Sequence, residues 1–377
     1  MQTNRNYRWD WPISLVADSL PEDVWRQRQR CILLAIMKNE APYIVEWATY
    51  HYALGFREII VFSNFSDDYT DEILDRLDDL GIVRHRPHPI NAFSSVGQFN
   101  IAALRFAKHF ANYQASDFMM MIDADEFLEV GAGQYDLNAF FDLNGEFEVA
   151  SFLMRGMRGK DERLIKDGQL LDRFRQATWR RGPVEGERTI VGGSVKSLAR
   201  TKFKNGFHRN HRPMNRRFSK MGLRWIDGGG AAFGPEFTDR RVSSVKRDRA
   251  SQVGVVNHYA LRSLEGFMVK IGRGAAAAAD RKTMNETAQR KWCAYWNNRN
   301  KSPTTDEPQQ FLPPLFNDIF NLISSDPIIS ELQQAALASH RKRAKEMAET
   351  AFGQSILEGI GMSGEALEDR RTQLSSE

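Results

Sequence analysis

Met119-Met120-Met121-Ile122-Asp123-Ala124-Asp125-Glu126-Phe127 is an apolar run that ends abruptly in three carboxylates. A short apolar run bounded by polar segments fits a buried strand of a parallel sheet, covered on both faces. The acids then fall just past the carboxyl end of that strand, where open α/β sheets bind ligands. Residues i and i+2 of an extended segment share a side, so Asp123 and Asp125 can aim at one point. Hard divalent cations such as Mg2+ and Mn2+ take oxygen ligands, commonly one or two carboxylates completed by substrate phosphates. The stretch reads either as a metal–diphosphate site or as a solvated acidic strand end, and its surroundings must decide between them.

Upstream, apolar strands alternate with helical patterns. Ile32–Met37 is a continuous apolar strand followed by Lys38-Asn39-Glu40. Pro42 suits a first helical turn, and Ile44, Trp47, Ala48 and His51 recur at helical spacing up to Gly55. His51 therefore reads as a helix-face residue. Glu58–Phe62 is a second strand, closed by Ser63-Asn64 and the loop Phe65–Tyr69. Thr70 is the expected N-cap of a helix lined by Ile73, Leu74, Leu77 and Leu80, with Gly81 as its stop. Ile82–Arg86 is a third strand, residues 94–113 a long helix, and 118–122 the fourth strand. A helix over 136–143 and a strand over Val149–Met154 follow. This alternation predicts an α/β fold: a mostly parallel, Rossmann-like sheet with helices on both faces.

The remaining signals bound the answer. A chain of 377 residues with 42% hydrophobic and 27% charged residues is globular and long enough for a sizeable core. The formal charge is +4, with Arg and Lys concentrated over 155–220 and acids over the first 150 residues. Such bias suits an anionic ligand or surface as well as a plain solvated face. No helix-turn-helix, zinc-finger or RNP pattern supports nucleic acid as a partner. Cys31 and Cys293 are far apart and form no C-x-x-C pair, so neither a disulfide framework nor a thiolate zinc site is expected. The N-terminus has no apolar signal core and no run approaches a membrane span. The expectation is a cytoplasmic protein in a reducing compartment, at most peripheral at the inner face of a membrane.

Beyond residue 155 the pattern loosens. Arg155–Lys160 reads as a glycine–cation loop, Val195–Arg200 as a strand, and Trp225–Gly230 as a mobile segment beside Asp227. Val255–Ala260 is a strand that breaks into a helix near Arg262, with Leu264, Phe267, Met268 and Ile271 on one face. Five alanines at 275–279 carry no chemistry, and residues 303–314 read as a linker. The tail from about 329 is helical, and its basic run His340-Arg341-Lys342-Arg343 reads as a solvated face or a membrane-surface contact. The domains expected are a lead-in over 1–30, a main α/β domain over 31–275 divided near residue 130, and a helical extension over 276–377.

The first half resembles the family 2 type glycosyltransferases with the GT-A fold, in their bacterial branch with a D-A-D-E-F signature. The matching residues are Ile36–Glu40, Ser63-Asn64 with Thr70-Asp71, Asn100 with Ala102–Leu104, and Asp123–Phe127. Asn257–Ala260 followed by Arg262–Leu264 is similar to that branch's closing motif. The resemblance implies a UDP- or GDP-linked sugar donor, a saccharide or lipid-linked acceptor, a divalent cation, and a role in surface polysaccharide synthesis. It places Lys38, Asn39, Glu40, Asn64, Asp67 or Asp68, Asn100 and Asp123 at the donor. It also assigns Asp123, Asp125 and His258 to the metal. One departure stands out: the E-D pair that supplies the general base in inverting members is missing, and Gly206–His211 stands in its place. His211, His208 and Asp227 are candidate bases, with Glu126 beside them as a catalytic candidate. A retaining enzyme would need no such base. A nucleotidyltransferase would want a glycine-rich loop after the first strand, where this chain has Lys38–Pro42. A catalytically impaired carbohydrate-binding or assembly protein is the remaining alternative.

Overall fold

The computed structural model describes residues 28–89, 99–158, 162–180, 189–202, 210–213, 218–240, 242, 244–274, 284–300, 305–306 and 311–362. The lead-in over 1–27, residues 94–98, Gly159-Lys160, His208-Arg209, the alanine run and the last residues lie outside these segments, as does half of the stretch read as a linker.

The strands are β1 (Cys31–Met37), β2 (Glu58–Ser63), β3 (Arg84–Pro87), β4 (Phe118–Met121), β5 (Glu126–Val130), β6 (Val149–Arg158), β7 (Gln176–Ala177), β8 (Ile190–Arg200), β9 (Trp225–Asp227), β10 (Ser244–Asp248), β11 (Gly254–His258) and β12 (Thr305–Asp306). Along the main path they run β12-β7-β6-β8-β4-β1-β2-β3. The half from β4 to β3 is parallel, and from β8 onward the sheet is mixed. The α/β class therefore stands, with an unbroken parallel run only from β4 to β3 and isolated parallel pairs of β6 with β9 and β11.

The continuous apolar runs of β1, β2 and β4 are explained by cover on both faces. Leu33, Ala35 and Met37 pack into one cluster with Ile59, Val61 and the helix Ile44–Leu54. Ile32, Leu34 and Ile36 point the other way, onto Ile60, Phe62 and the helix Phe99–Ala107. The period of two divides one run between two cores.

Several boundaries differ from expectation. The helix expected over 94–113 is two, Phe99–Ala107 and Ala111–Ala115. Tyr69, not Thr70, caps the helix Thr70–Asp79, and the Thr70 hydroxyl instead accepts from the Glu40 N–H at 2.9 Å. Arg155–Arg158 continue β6 rather than forming a loop, because β7 and β11 pair with them. Trp225–Asp227 is a buried strand beside β6, not a mobile segment.

The C-terminal helices are integral to the fold. Phe316, Ile319, Ile323, Ile329 and Ala336 join the same cluster as β1 and the helix Ile44–Leu54. Ala344, Met347, Ile356 and Leu357 close on Leu264, Phe267 and Ile271. No helix among the described residues is long and apolar enough to cross a membrane. Three of the four residues of the basic run at 340–343 are engaged within the chain. His340 is buried, Arg341 donates to the Ile165 carbonyl and Arg343 binds Asp67, leaving Lys342 exposed.

Candidate active site

The carboxyl ends of β1, β2 and β4 lie side by side, since Met37 pairs with Ser63 and Leu34 with Met121. The acidic turn leaves the last of these ends. Glu126 is already the first residue of β5, a strand the sequence pattern missed, and β5 runs antiparallel to β11. This register sets His258 directly across from Glu126, and the Tyr259 N–H donates to the Asp125 carbonyl at 2.7 Å. Trp47 of the helix Ile44–Leu54 holds the turn from beneath, its indole N–H shared between the carbonyls of Asp123 and Glu126 at 3.1 Å each.

Two lysines serve the three carboxylates. Asp125 Oδ2 accepts from Lys270 Nζ at 2.7 Å, and His258 Nε2 is 3.5 Å from the same oxygen. Burial alone would raise the Asp125 pKa, but Lys270 and His258 outweigh it and hold the carboxyl well below its ordinary value. Asp123 meets the other lysine. Its Oδ2 lies 3.0 Å from Lys196 Nζ, which also reaches Glu126 Oε2 at 2.8 Å and Asn210 Oδ1 at 2.9 Å. Lys196 is reached through β8, whose antiparallel pairing with β4 ends at Leu198–Met120 and carries the chain past the acidic turn.

Glu126 is buried, and burial followed by the neighbouring Asp123 raises its pKa to about 7. Its carboxylate accepts from Lys196 and from the Asp123 N–H at 2.9 Å. Both contacts fall on Oε2, and a carboxyl held in this way orders the turn. Asp227 lies apart from this group along the sheet. It pairs with Ser151 near the start of β6, whereas His258 pairs with Gly156 five residues further along. Its carboxylate is occupied by the N–H groups of Gly229 and Ala231 and by Arg247.

His211 does belong to the site, beside Lys196. Its Nδ1 lies 3.2 Å from the Val195 carbonyl, an acceptor only, so Nδ1 carries the hydrogen and Nε2 keeps its lone pair. Burial, and next the Lys196 ammonium, hold its pKa below the ordinary value and keep the ring neutral.

The donor-loop residues divide between carrying charge and holding loops. Glu40 is buried between Arg262 at 2.7 Å and Arg273 at 2.5 Å. Against the upward push of burial, these guanidiniums keep its pKa low. Asn39 is used by the neighbouring loop: its amide donates to Asp67 Oδ1 at 2.6 Å and accepts from the Asp67 N–H at 3.0 Å. The Lys38 carbonyl accepts from Arg273. Asn64 is buried, with its N–H on the Met37 carbonyl at 2.9 Å, and Asn100 lies in the first turn of the helix Phe99–Ala107. Asn39, Phe65, Tyr69 and Arg262 all have positive φ, between 49° and 75°. Such backbone strain in non-glycine residues gathers at ligand sites and needs firm surroundings to persist.

The chemistry of this donor set allows a cation in one place. Asp125 Oδ2 and His258 Nε2 are close enough to share one, with phosphate oxygens and water completing its shell. Asp123 Oδ2 is held by Lys196. Among the described residues no three His, Cys, Asp or Glu side chains form a ready-made metal cluster.

Residues 34–182 match the family model described as glycosyltransferase family 92. The family 2 assignment is thus not the one matched, while the coarser one is: the chain carries a glycosyltransferase domain and is an enzyme of that class. No curated protein matches the chain at a significant level. Among solved structures, S. aureus TarS 1–349 is similar at 11% identity over 91% of this chain and 92% of that one, with a TM-score of 0.29. The same protein in complex with UDP gives 12%, 91%, 91% and 0.29. In complex with UDP-GlcNAc it gives 11%, 91%, 92% and 0.28. What the site can do rests on its own residues.

Proposed function

We propose that this enzyme transfers a sugar from a nucleotide-sugar to a hydroxyl of a saccharide or lipid-linked acceptor, with inversion, His211 acting as the base. The observation that carries the reading is the row of groups at the carboxyl end of the sheet, from Glu40 and Arg262 through Asp125 and His258 to His211 and Asp123. The ordered motifs shared with family 2 type enzymes support the same donor class, and the loops at 38–41 and 64–68 are where its nucleoside would lie.

Asp125 and His258 would hold a divalent cation, Mg2+ or Mn2+, which when bound neutralises charge on the leaving diphosphate. Lys270 and Arg262 add fixed positive charge at the same place. The exposed oxygen of Asp123, whose side chain is 44% accessible, is free to bind the donor while Lys196 fixes its direction. His211 accepts the acceptor's hydroxyl proton at Nε2 as the new glycosidic bond forms and the sugar–phosphate bond breaks. The Nδ1–H bond to Val195 fixes the tautomer, and burial together with the Lys196 charge keeps Nε2 unprotonated beforehand.

A thermal-shift screen of UDP- and GDP-sugars, with and without Mn2+, tests the donor and the cation together. One nucleotide series should stabilise the wild type, and Asp125→Ala should lose that stabilisation. No response to any nucleotide would overturn the assignment.

A further inference from the structure

We propose that the C-terminal helix Pro327–Glu349 is a working part of the donor site, with His340 and Arg343 as positioning residues that hold loops 38–41 and 64–70 together. The proposal rests on the donor reading above and assigns a task to the C-terminal segment.

The two loops are joined around Asp67 and Asp68. Asp68 Oδ1 accepts from the Thr70 N–H at 3.0 Å, and Oδ2 accepts from the Ala41 N–H at 3.2 Å. The same Oδ2 receives His340 Nε2 at 2.5 Å, and both side chains are almost fully buried, at 2% and 0% exposure. Asp67 Oδ1 receives Asn39 and, at 2.9 Å, Arg343 Nη1, while Arg343 Nη2 takes the Asp67 carbonyl. Every other member of this knot comes from the loops themselves. His340 and Arg343 arrive from 272 and 276 residues away.

Two further facts show why an outside support is needed. Asn39, Phe65 and Tyr69, all on these loops, are held at positive φ, a conformation that relaxes unless its surroundings over-determine it. The helix is also pinned at its other end, where its N-cap Asp326 binds Arg76 at 2.6 Å on the helix that follows the second loop. His340 lines the same crevice as Asn39, Glu40 and Lys270, so the support reaches the pocket itself.

A support that served stability alone would lower Tm and leave nucleotide affinity untouched. Removing His340 threatens folding because its partner is a buried carboxylate. Arg343 gives the milder variant, since Asp67 is 68% exposed and such pairs contribute little to global stability. The experiment uses full-length wild type, Arg343→Ala, Arg343→Lys and His340→Gln. It measures amide exchange at Ala41, Asp67 and Thr70 without ligand, and then UDP and GDP affinity by calorimetry. Arg343→Ala should speed exchange at these amides and weaken nucleotide binding about tenfold at nearly unchanged Tm, as expected for loss of a charge-assisted hydrogen bond. Arg343→Lys should recover only part of the loss, because one ammonium cannot reproduce the guanidinium fork on two Asp67 oxygens. Unchanged exchange in both Arg343→Ala and His340→Gln would overturn the clamp, whatever the enzyme binds. Faster exchange with wild-type affinity would overturn the positioning role. A wild type that binds neither nucleotide would instead overturn the donor reading, and the exchange measurement would then decide the clamp alone.

Discussion

The two histidines of the site differ in what their neighbours allow. His258 faces carboxylates, whereas His211 meets the Val195 carbonyl and the Lys196 ammonium, whose effect exceeds that of the Asp123 carboxylate, and this difference favours His211 as the proposed base. Its lowered pKa has a definite sign: the ring stays neutral to lower pH than a free imidazole, so the acid limb of kcat/KM should fall below about pH 6.5. In His211→Gln the limb should disappear and kcat drop by about 10²–10⁴, with donor KM little changed; a limb that survives the substitution would assign it to another group. A second residue, outside the site, makes a pH test of the fold. Glu46 is buried and accepts the N–H groups of Leu170 and Leu171, and burial lifts its pKa to about 7 from an ordinary 4.5. The folded state therefore holds this proton more tightly than the unfolded chain. The resulting stability is full below pH 4.5 and is lost as pH rises through 7. Thermal melts of wild type and Glu46→Gln across this range should show the variant gaining on the wild type as pH rises. Most of these residues were visible as candidates in the sequence. Lys196 and Lys270 were not, although a lysine inside the strand run Val195–Arg200 and one beside an apolar helix face were weak signals of buried partners.

At the scale of elements, the acidic stretch was legible as a strand end, but its continuation was not. Five residues, Glu126–Val130, form a strand whose partner β11 lies more than a hundred positions downstream, and no local periodicity announces such pairing. Trp225–Gly230 failed for a related reason. Three glycines suggest mobility, yet Gly228 and Gly229 lie against the backbone of the segment that leads into β11. A Cβ on Gly228 would stand 2.0 Å from the Gly254 carbonyl oxygen, and one on Gly229 2.2 Å from that of Ser251. These glycines permit close approach of two chains rather than motion. Gly228→Ala should accordingly destabilise the protein by about 2 kcal/mol or more in urea denaturation. A wild-type midpoint would show that the contact yields easily.

For the whole molecule, the placement of the C-terminal helices matters most. They read as an appended extension, and they instead complete the core around the helix Ile44–Leu54 and close on Leu264–Arg273. A chain ending at Asn300 would expose the apolar surface that covers Phe316, Ile319, Ile323 and Ile329. It should be insoluble or lose its near-UV circular dichroism; a soluble product with native ellipticity would show that the first 300 residues are self-sufficient. The sequence by itself determined the order of the first four strands, the division of each apolar strand between two faces, and the place of the carboxylates past a strand end. Those features follow from local periodicity and from the short reach of turn chemistry. Only the tertiary structure decided which cation meets which acid. Lys196 reaches Asp123 across 73 positions, Lys270 reaches Asp125 across 145, and His340 reaches Asp68 across 272. A charge pair forms wherever strand register and helix packing bring two groups within about 3 Å, and neither is encoded in the residues adjoining the pair.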